Sequence, residues 1–151
     1  MRIRRRRRAF TLVELLAVMV VIGILSTFGV VKYQDRQEKM REARAIMDLQ
    51  GILLQLSLRE DDLPASLADI GRGGLLDPWG HPYMYFRFDP SDKGNPKGAR
   101  KDKSLHPINS HFDLYSMGPD GSTNLPLTAK ASRDDLVVAN DGRYVGRASG
   151  Y

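Results

Sequence analysis

The sequence predicts an α+β fold: a long N-terminal α-helix, apolar enough in its first half to span a membrane, packed by its second half on a small antiparallel β-sheet. Three observations carry this. Residues 10–60 contain no proline, so nothing in them breaks a helix outright. Past Pro64 the punctuation changes, with Gly71, Gly73, Gly74, Pro78, Gly80 and Pro82 bracketing short segments. Several of the later segments are rich in aromatic and β-branched residues, the composition that suits a pleated, half-buried strand.

The head of the chain is organised by charge. Arg2, Arg4, Arg5, Arg6, Arg7 and Arg8 crowd the first nine positions, and then residues 10–31 carry a single charge, Glu14. An apolar stretch of about 18 residues or more is long enough to cross a bilayer as a helix. Arginines just before it hold that end in the cytoplasm, which places the C-terminal part outside. A plain signal anchor shares these features. A secretory signal peptide fits less well, because the apolar core of such peptides is about 7–15 residues and closes on a small-x-small pattern. No such pattern closes the run cleanly before Lys32.

The formal net charge of +5 points at first to nucleic acid or an anionic surface. Removing residues 1–9 leaves 17 basic against 18 acidic residues, a net charge of −1. A general phosphate-binding surface then has no support in the composition, and no nucleic-acid partner is expected.

After Val31 the sequence becomes polar without a helix breaker, and its one glycine before Glu60 is Gly51. The helix is expected to run from about Phe10 to Glu60, roughly 75 Å at 1.5 Å per residue. Ile46, Leu49, Leu53 and Leu56 form an apolar stripe at helical spacing, with Arg36, Glu38, Arg41, Glu42, Arg44 and Asp48 on other faces. Pro64 ends the run, since the residue before a proline leaves helical geometry. Residues 66–70 read as a brief helical turn, 83–88 and 112–116 as strands, and 137–138 and 144–145 as weaker ones. Between the first two strands, residues 89–110 are rich in proline, glycine and lysine and read as a long surface loop. Trp79 and Tyr83 are placed in the core, between sheet and stripe. The resulting organisation is 1–9 a basic leader, 10–31 a transmembrane helix, 32–60 its amphipathic continuation, and 61–151 an exposed globular domain.

Ala9-Phe10-Thr11-Leu12-Val13-Glu14, after a basic leader, resembles the processing motif of type IV pilins and type II secretion pseudopilins. In that family a prepilin peptidase cuts before the phenylalanine and methylates the new amine. The resemblance implies cleavage between Ala9 and Phe10, N-methylation of Phe10, and Glu14 as the fifth residue of the mature chain. Ala9 stands where the family usually has glycine. The charge logic of Glu14 agrees independently: a carboxylate in hydrocarbon costs about 2.5–3.5 kcal/mol on insertion scales and is normally kept for a partner. A freed amine on a neighbouring copy is such a partner, while the alternative is a carboxylate that reaches back to the headgroups.

A second resemblance lies in Leu76-Asp77-Pro78-Trp79-Gly80-His81-Pro82-Tyr83, similar to the DPWGxPY signature of the major pseudopilin of type II secretion. The segment from Phe112 through Asp113-Leu114-Tyr115-Ser116-Met117-Gly118-Pro119-Asp120 to Gly121 looks like that family's lead into its calcium loop. Carried over residue by residue, this implies a calcium-type C-terminal loop whose ligands are Met117 through its carbonyl, Asp120, Ser132 through its backbone or hydroxyl, Asp134 and Asp135, with Ser122 as an alternative carbonyl donor. Such a loop suits an ion that takes six to eight oxygens in flexible geometry. Asp120 to Asn124 also resembles the opening of an EF-hand, but Leu125 replaces the required glycine and Ala131 stands where the bidentate glutamate belongs. Without the resemblance, an Asp120 turn beside solvated Asp134 and Asp135 is the simpler reading.

What the resemblance implies for function is a structural subunit that polymerises with copies of itself and with minor pseudopilins on an inner-membrane assembly platform. It would be anchored by one pass with its globular domain in the periplasm, driving protein export. Rival readings are a minor or unusual type IV pilin and a single-pass membrane sensor or binding protein. No catalysis is expected, because no nucleophile, base and orienting group come together in the motifs. Cysteine is absent, which excludes disulfides and thiolate metal sites. His81, His106 and His111 lack paired spacing. Lys93, Lys97, Arg100, Lys101 and Lys103 form one basic cluster, expected on the surface of the 89–110 loop.

Overall fold

The computed structural model describes residues 10–59, 62–92, 94 and 96–151, and of residues 27–31 the backbone alone. Its elements are α1 (Leu12–Ser57), β1 (Met84–Arg87), β2 (Phe112–Ser116), β3 (Leu136–Ala139) and β4 (Tyr144–Arg147), with 3-10 turns at Leu67–Ile70, Lys130–Ser132 and Ala148–Gly150. The four strands make one antiparallel sheet in the order β1-β2-β3-β4. The α+β expectation is met in each of these elements. The chain divides into two compact units, one reaching to Lys39 and the other Met40–Tyr151, and α1 contributes to both.

In the first unit, α1 begins on a reciprocal cap. The Glu14 backbone N–H donates to the Thr11 hydroxyl at 3.2 Å, and the Thr11 N–H donates to the Glu14 carboxylate at 3.4 Å. This is the S/T-x-x-E capping box, which satisfies two of the amides that a helix start leaves without partners. Every residue from Phe10 to Ser26 is exposed, Leu12, Val13, Leu15, Met19 and Ile22 among them. A helix that is apolar on all sides needs cover on all sides. Among the described residues no helix is long and apolar enough to cross a membrane. The span expected over 10–31 ends in the five residues whose side chains lie outside the description. The leader with Ala9, the expected helix end at Glu60 and Lys93 of the basic cluster also lie outside the described residues.

In the second unit the helix meets the sheet along Ala45, Leu49, Ile52 and Leu56, all fully buried. They pack with Tyr83, Leu114, Leu136, Val138 and Leu67, while Ile46, Leu53 and Trp79 border the cluster, half-buried. The buried line is therefore rotated from the stripe expected from sequence: Ile52 is central where Leu53 was expected. Two side chains fix the helix against the sheet's surroundings. The Tyr83 hydroxyl donates to Asp48 at 3.0 Å, and Arg147 of β4 grips Glu42 through Nη2 at 3.1 Å and Nε at 3.3 Å. Beyond the helix, the Tyr85 hydroxyl and Arg87 donate to the carbonyls of Pro64 and Leu63 at 3.0 and 2.7 Å, holding the chain as it leaves α1.

The sheet buries its second face as well. Side chains alternate across a strand, so Leu136 and Val138 face the helix while Val137 and Ala139 join Ile108, Leu127 and Ala148 in a separate core. All four residues of β3 are buried. This corrects the reading of 89–110 as a surface loop. Phe88, just before it, is buried, and from within it so are Ala99, Arg100, Ile108 and Asn109. A sheet with apolar residues on both sides needs a second layer, and here loops supply it.

Ile52→Ala is expected to cost about 2–5 kcal/mol, the range for truncating a fully buried large aliphatic residue, and Leu53→Ala less than half of that. Denaturant unfolding of the two variants checks which face of α1 carries the core.

Candidate functional site

Two groups of residues have functional interest, one in each unit. In the first, Phe10 is exposed immediately before Thr11 and the helix start. The Glu14 carboxylate lies over the opening of α1, where the helix dipole concentrates positive potential and favours an anion. The capping role of Glu14 is legible in the sequence, since Thr11-x-x-Glu14 has the box spacing.

The second group surrounds the turns that follow β2. The signature around Asp77 has a clear physical content. Asp77 is buried, and its Oδ1 accepts the backbone N–H groups of Trp79 at 3.1 Å and His81 at 2.9 Å, closing a turn in which Gly80 takes φ 95°. Its Oδ2 accepts the Ser116 hydroxyl at 2.6 Å, which ties this turn to the end of β2. Ser116 Oγ also accepts the Gly118 N–H at 3.1 Å, and His81 Nδ1 lies 3.0 Å from the Gly118 carbonyl oxygen. Gly118 itself has φ 67°, and a Cβ there would sit 2.5 Å from the Asp134 carbonyl oxygen, so the close approach requires glycine.

The five residues proposed as calcium donors differ in burial and in partners. Met117 follows β2 directly and is half-buried. Asp120 is exposed and accepts the Ser122 N–H at 2.8 Å, an Asx-type turn. Its own N–H reaches Asp134 Oδ2 at 3.4 Å, so these two are brought together. Ser132 is fully buried, donating its hydroxyl to the Asn124 carbonyl at 2.8 Å and accepting the Asn124 N–H at 2.9 Å. Asp135, the next residue but two, is sealed inside against Arg100, whose Nη2 stands 2.5 Å from its Oδ2. The Thr123 hydroxyl donates to the same oxygen at 2.6 Å. The Ser132 hydroxyl is thus engaged with Asn124, and Asp135 Oδ2 with a cation already in the chain. Among the described residues no three His, Asp or Glu side chains gather to hold a metal.

Arg100 is the residue that sequence reasoning misplaced. Expected on the surface with its lysine neighbours, it is 1 % exposed. Its Nη1 donates to the Thr123 hydroxyl, and its Cζ lies 4.3 Å from the centre of the Tyr115 ring. Its backbone N–H donates to Asp113 Oδ2 at 2.6 Å, while Asn109 Nδ2 donates to Asp113 Oδ1 at 3.2 Å and to the Val138 carbonyl at 2.8 Å. Burial pushes the Asp113 carboxyl up to about 6, against the opposing pull of the Arg100 N–H, the Asn109 amide and the Arg100 charge. Burial raises Asp135 too, opposed by the Thr123 hydroxyl and Arg100.

The native chain therefore holds the Asp113 proton up to a higher pH than the unfolded chain, whose value is near 3.8. Between the two, the unfolded state binds fewer protons, so this group lowers stability as pH rises through the window. Relative to Asp113→Asn, the parent is expected to lose up to about 3 kcal/mol across it, at about 1.4 kcal/mol per pH unit. Denaturant midpoints of the two proteins measured across that range check it.

Residues 4–30 match the family model described as the prokaryotic N-terminal methylation motif. Relatives include the type II secretion system core protein G of Dickeya chrysanthemi, 29% identical over 126 residues that cover 78% of this chain and 80% of the relative. The core protein G of Pseudomonas aeruginosa is 28% identical over 142 residues, covering 78% and 87%, and that of Escherichia coli is 26% identical over 145, covering 80% and 88%. No solved structure matches. The chain thus carries a methylation motif at its head and is similar to type II secretion core proteins G along more than three quarters of its length.

Proposed function

We propose that this chain is a structural subunit of a type II secretion pseudopilus, polymerising through its N-terminal helix to drive protein export, and that it has no catalytic role. One observation carries the reading: a helix start apolar on all sides and exposed from Phe10 to Ser26, opened by a carboxylate at its first turn. Within one chain the described residues leave that surface bare, and lipid or the same helix of other copies is the cover that suits it. Before assembly the helix is held in the inner membrane by residues 10–31, with the second unit in the periplasm.

Processing creates the assembly contact. Hydrolysis of the Ala9–Phe10 amide by a prepilin peptidase leaves a carboxylate on Ala9, removed with the leader, and an ammonium on Phe10 that is then methylated. Methylation keeps that nitrogen cationic. In an apolar bundle the pairing of this cation with Glu14 of an adjacent copy removes two charges that lipid solvates poorly. Minor pseudopilins and the inner-membrane assembly platform would engage the same helix.

Mass spectrometry of the mature protein is expected to show an N-terminal methyl-phenylalanine at Phe10. An intact Met1 terminus would point instead to a membrane-anchored binding protein that does not polymerise. Glu14→Ala removes both charge and cap, whereas Glu14→Gln keeps an acceptor compatible with the capping box. Both variants are expected to fail in filament assembly, scored by recovery of sheared filaments. A Glu14→Gln chain that assembles as the parent does would reduce Glu14 to its role in the cap.

A further inference from the structure

We propose that Arg100 is a built-in cation that closes the loop after β2 onto the sheet, so that this chain orders its C-terminal loop without the divalent ion that its resemblance to the pseudopilins implies. The guanidinium is engaged at both Nη atoms and on its face. Nη2 meets Asp135, Nη1 meets the Thr123 hydroxyl, and the flat face covers Tyr115 at 4.3 Å. These partners are spread along the chain: Tyr115 belongs to β2, Thr123 to the loop that leaves it, and Asp135 to the point where that loop enters β3. One side chain therefore ties both ends of the loop to the strands it connects.

The chemistry of the set suits a planar fork rather than a spherical ion. A guanidinium offers directed N–H donors and a face for an aromatic ring, and it keeps its charge at any physiological pH. Calcium needs a shell of six to eight oxygens, yet the groups that meet Asp135 Oδ2 are the Thr123 hydroxyl and the Arg100 cation. An added divalent ion would sit beside a fixed positive charge in poorly screened surroundings. Among the described residues, the two buried side-chain polar atoms without a hydrogen-bond partner are Arg100 Nε and Asp135 Oδ1. One is a donor and the other an acceptor, and both belong to this pair. A small rotation from the end-on contact to a side-on fork would satisfy each with the other. An oxygen cage waiting for a metal would show spare acceptors with no matching donor.

The test is thermal unfolding of the full chain in detergent micelles, with excess calcium chloride or with EGTA, joined to calorimetric titration with calcium chloride. The parent is expected to melt at the same midpoint in both media and to show no saturable calcium binding. Arg100→Gln is expected to lower the midpoint by roughly 10 °C, the scale of breaking a buried pair. By baring Asp135 beside Asp134, it should also gain a calcium-dependent rise that the parent lacks. Arg100→Lys, which keeps the charge without the fork, should fall between the two and stay insensitive to calcium. Saturable calcium binding that raises the parent's midpoint, or an Arg100→Gln variant as stable as the parent in EGTA, overturns the proposal. If neither variant folds, the parent's titration and its two melting curves decide by themselves.

Discussion

Apolar helix surface has to be covered, and along α1 that requirement is met within the chain only in part. From Ala45 to Leu56 the helix lays fully buried residues against Leu114, Leu136, Val138 and Tyr83. Burial of such side chains is the main source of stability in a domain of this size. The residues from Phe10 to Ser26 are as apolar and remain exposed. Among the described residues nothing covers that surface, and a bare apolar helix needs cover from lipid or protein. Filament formation in a membrane is the reading that gives both halves of one helix a physical reason.

The sheet is small, and three buried carboxylates fasten loops to it. Asp77 binds the turn before β1 to Ser116 at the end of β2. Asp113, on β2, takes the backbone of Arg100 and the amide of Asn109, fixing the 89–110 segment as the second layer. Asp135, leading into β3, takes the Arg100 side chain and Thr123, fixing the loop after β2. Each carboxylate accepts from at least two donors, which is what makes its burial tolerable. Two of the three converge on one residue, Arg100, which uses its backbone for one and its side chain for the other. That shared residue couples the second layer to the loop after β2.

Much of the fold could be read from the chain itself. The absence of proline before Pro64 marked the helix, and the strand expected at 112–116 coincides with β2. The weaker strands at 137–138 and 144–145 lie within β3 and β4. The stripe was assigned to Leu53 because leucine and isoleucine fill neighbouring positions there, so periodicity alone fixes the face of α1 only to within one residue. The 89–110 segment was misread for a different reason. Its prolines, glycines and lysines describe a chain without regular structure, and irregular chain is usually on the surface. Here it is irregular and buried, because Val137 and Ala139 leave a second apolar face to cover. No local pattern distinguishes Arg100 from Lys97, Lys101 or Lys103, since its partners lie 13 to 35 positions away.

The choice of cation has consequences for where the loop is ordered. An ion that binds only the folded state stabilises it by an amount that grows with the ion's concentration relative to its dissociation constant. A loop closed in that way is firm where the ion is abundant and loose where it is scarce. A guanidinium carried on the chain has no such dependence, since its effective concentration is set by the 89–110 segment that bears it. The gain is specificity more than raw stability: a buried ion pair offsets little beyond its own desolvation, but losing one partner leaves the other stranded. Arg100 also demands a geometry, with a fork for Asp135 and Thr123 and a face for Tyr115, that a sphere does not. The loop after β2 is thereby held in one arrangement by a group that folds with the chain.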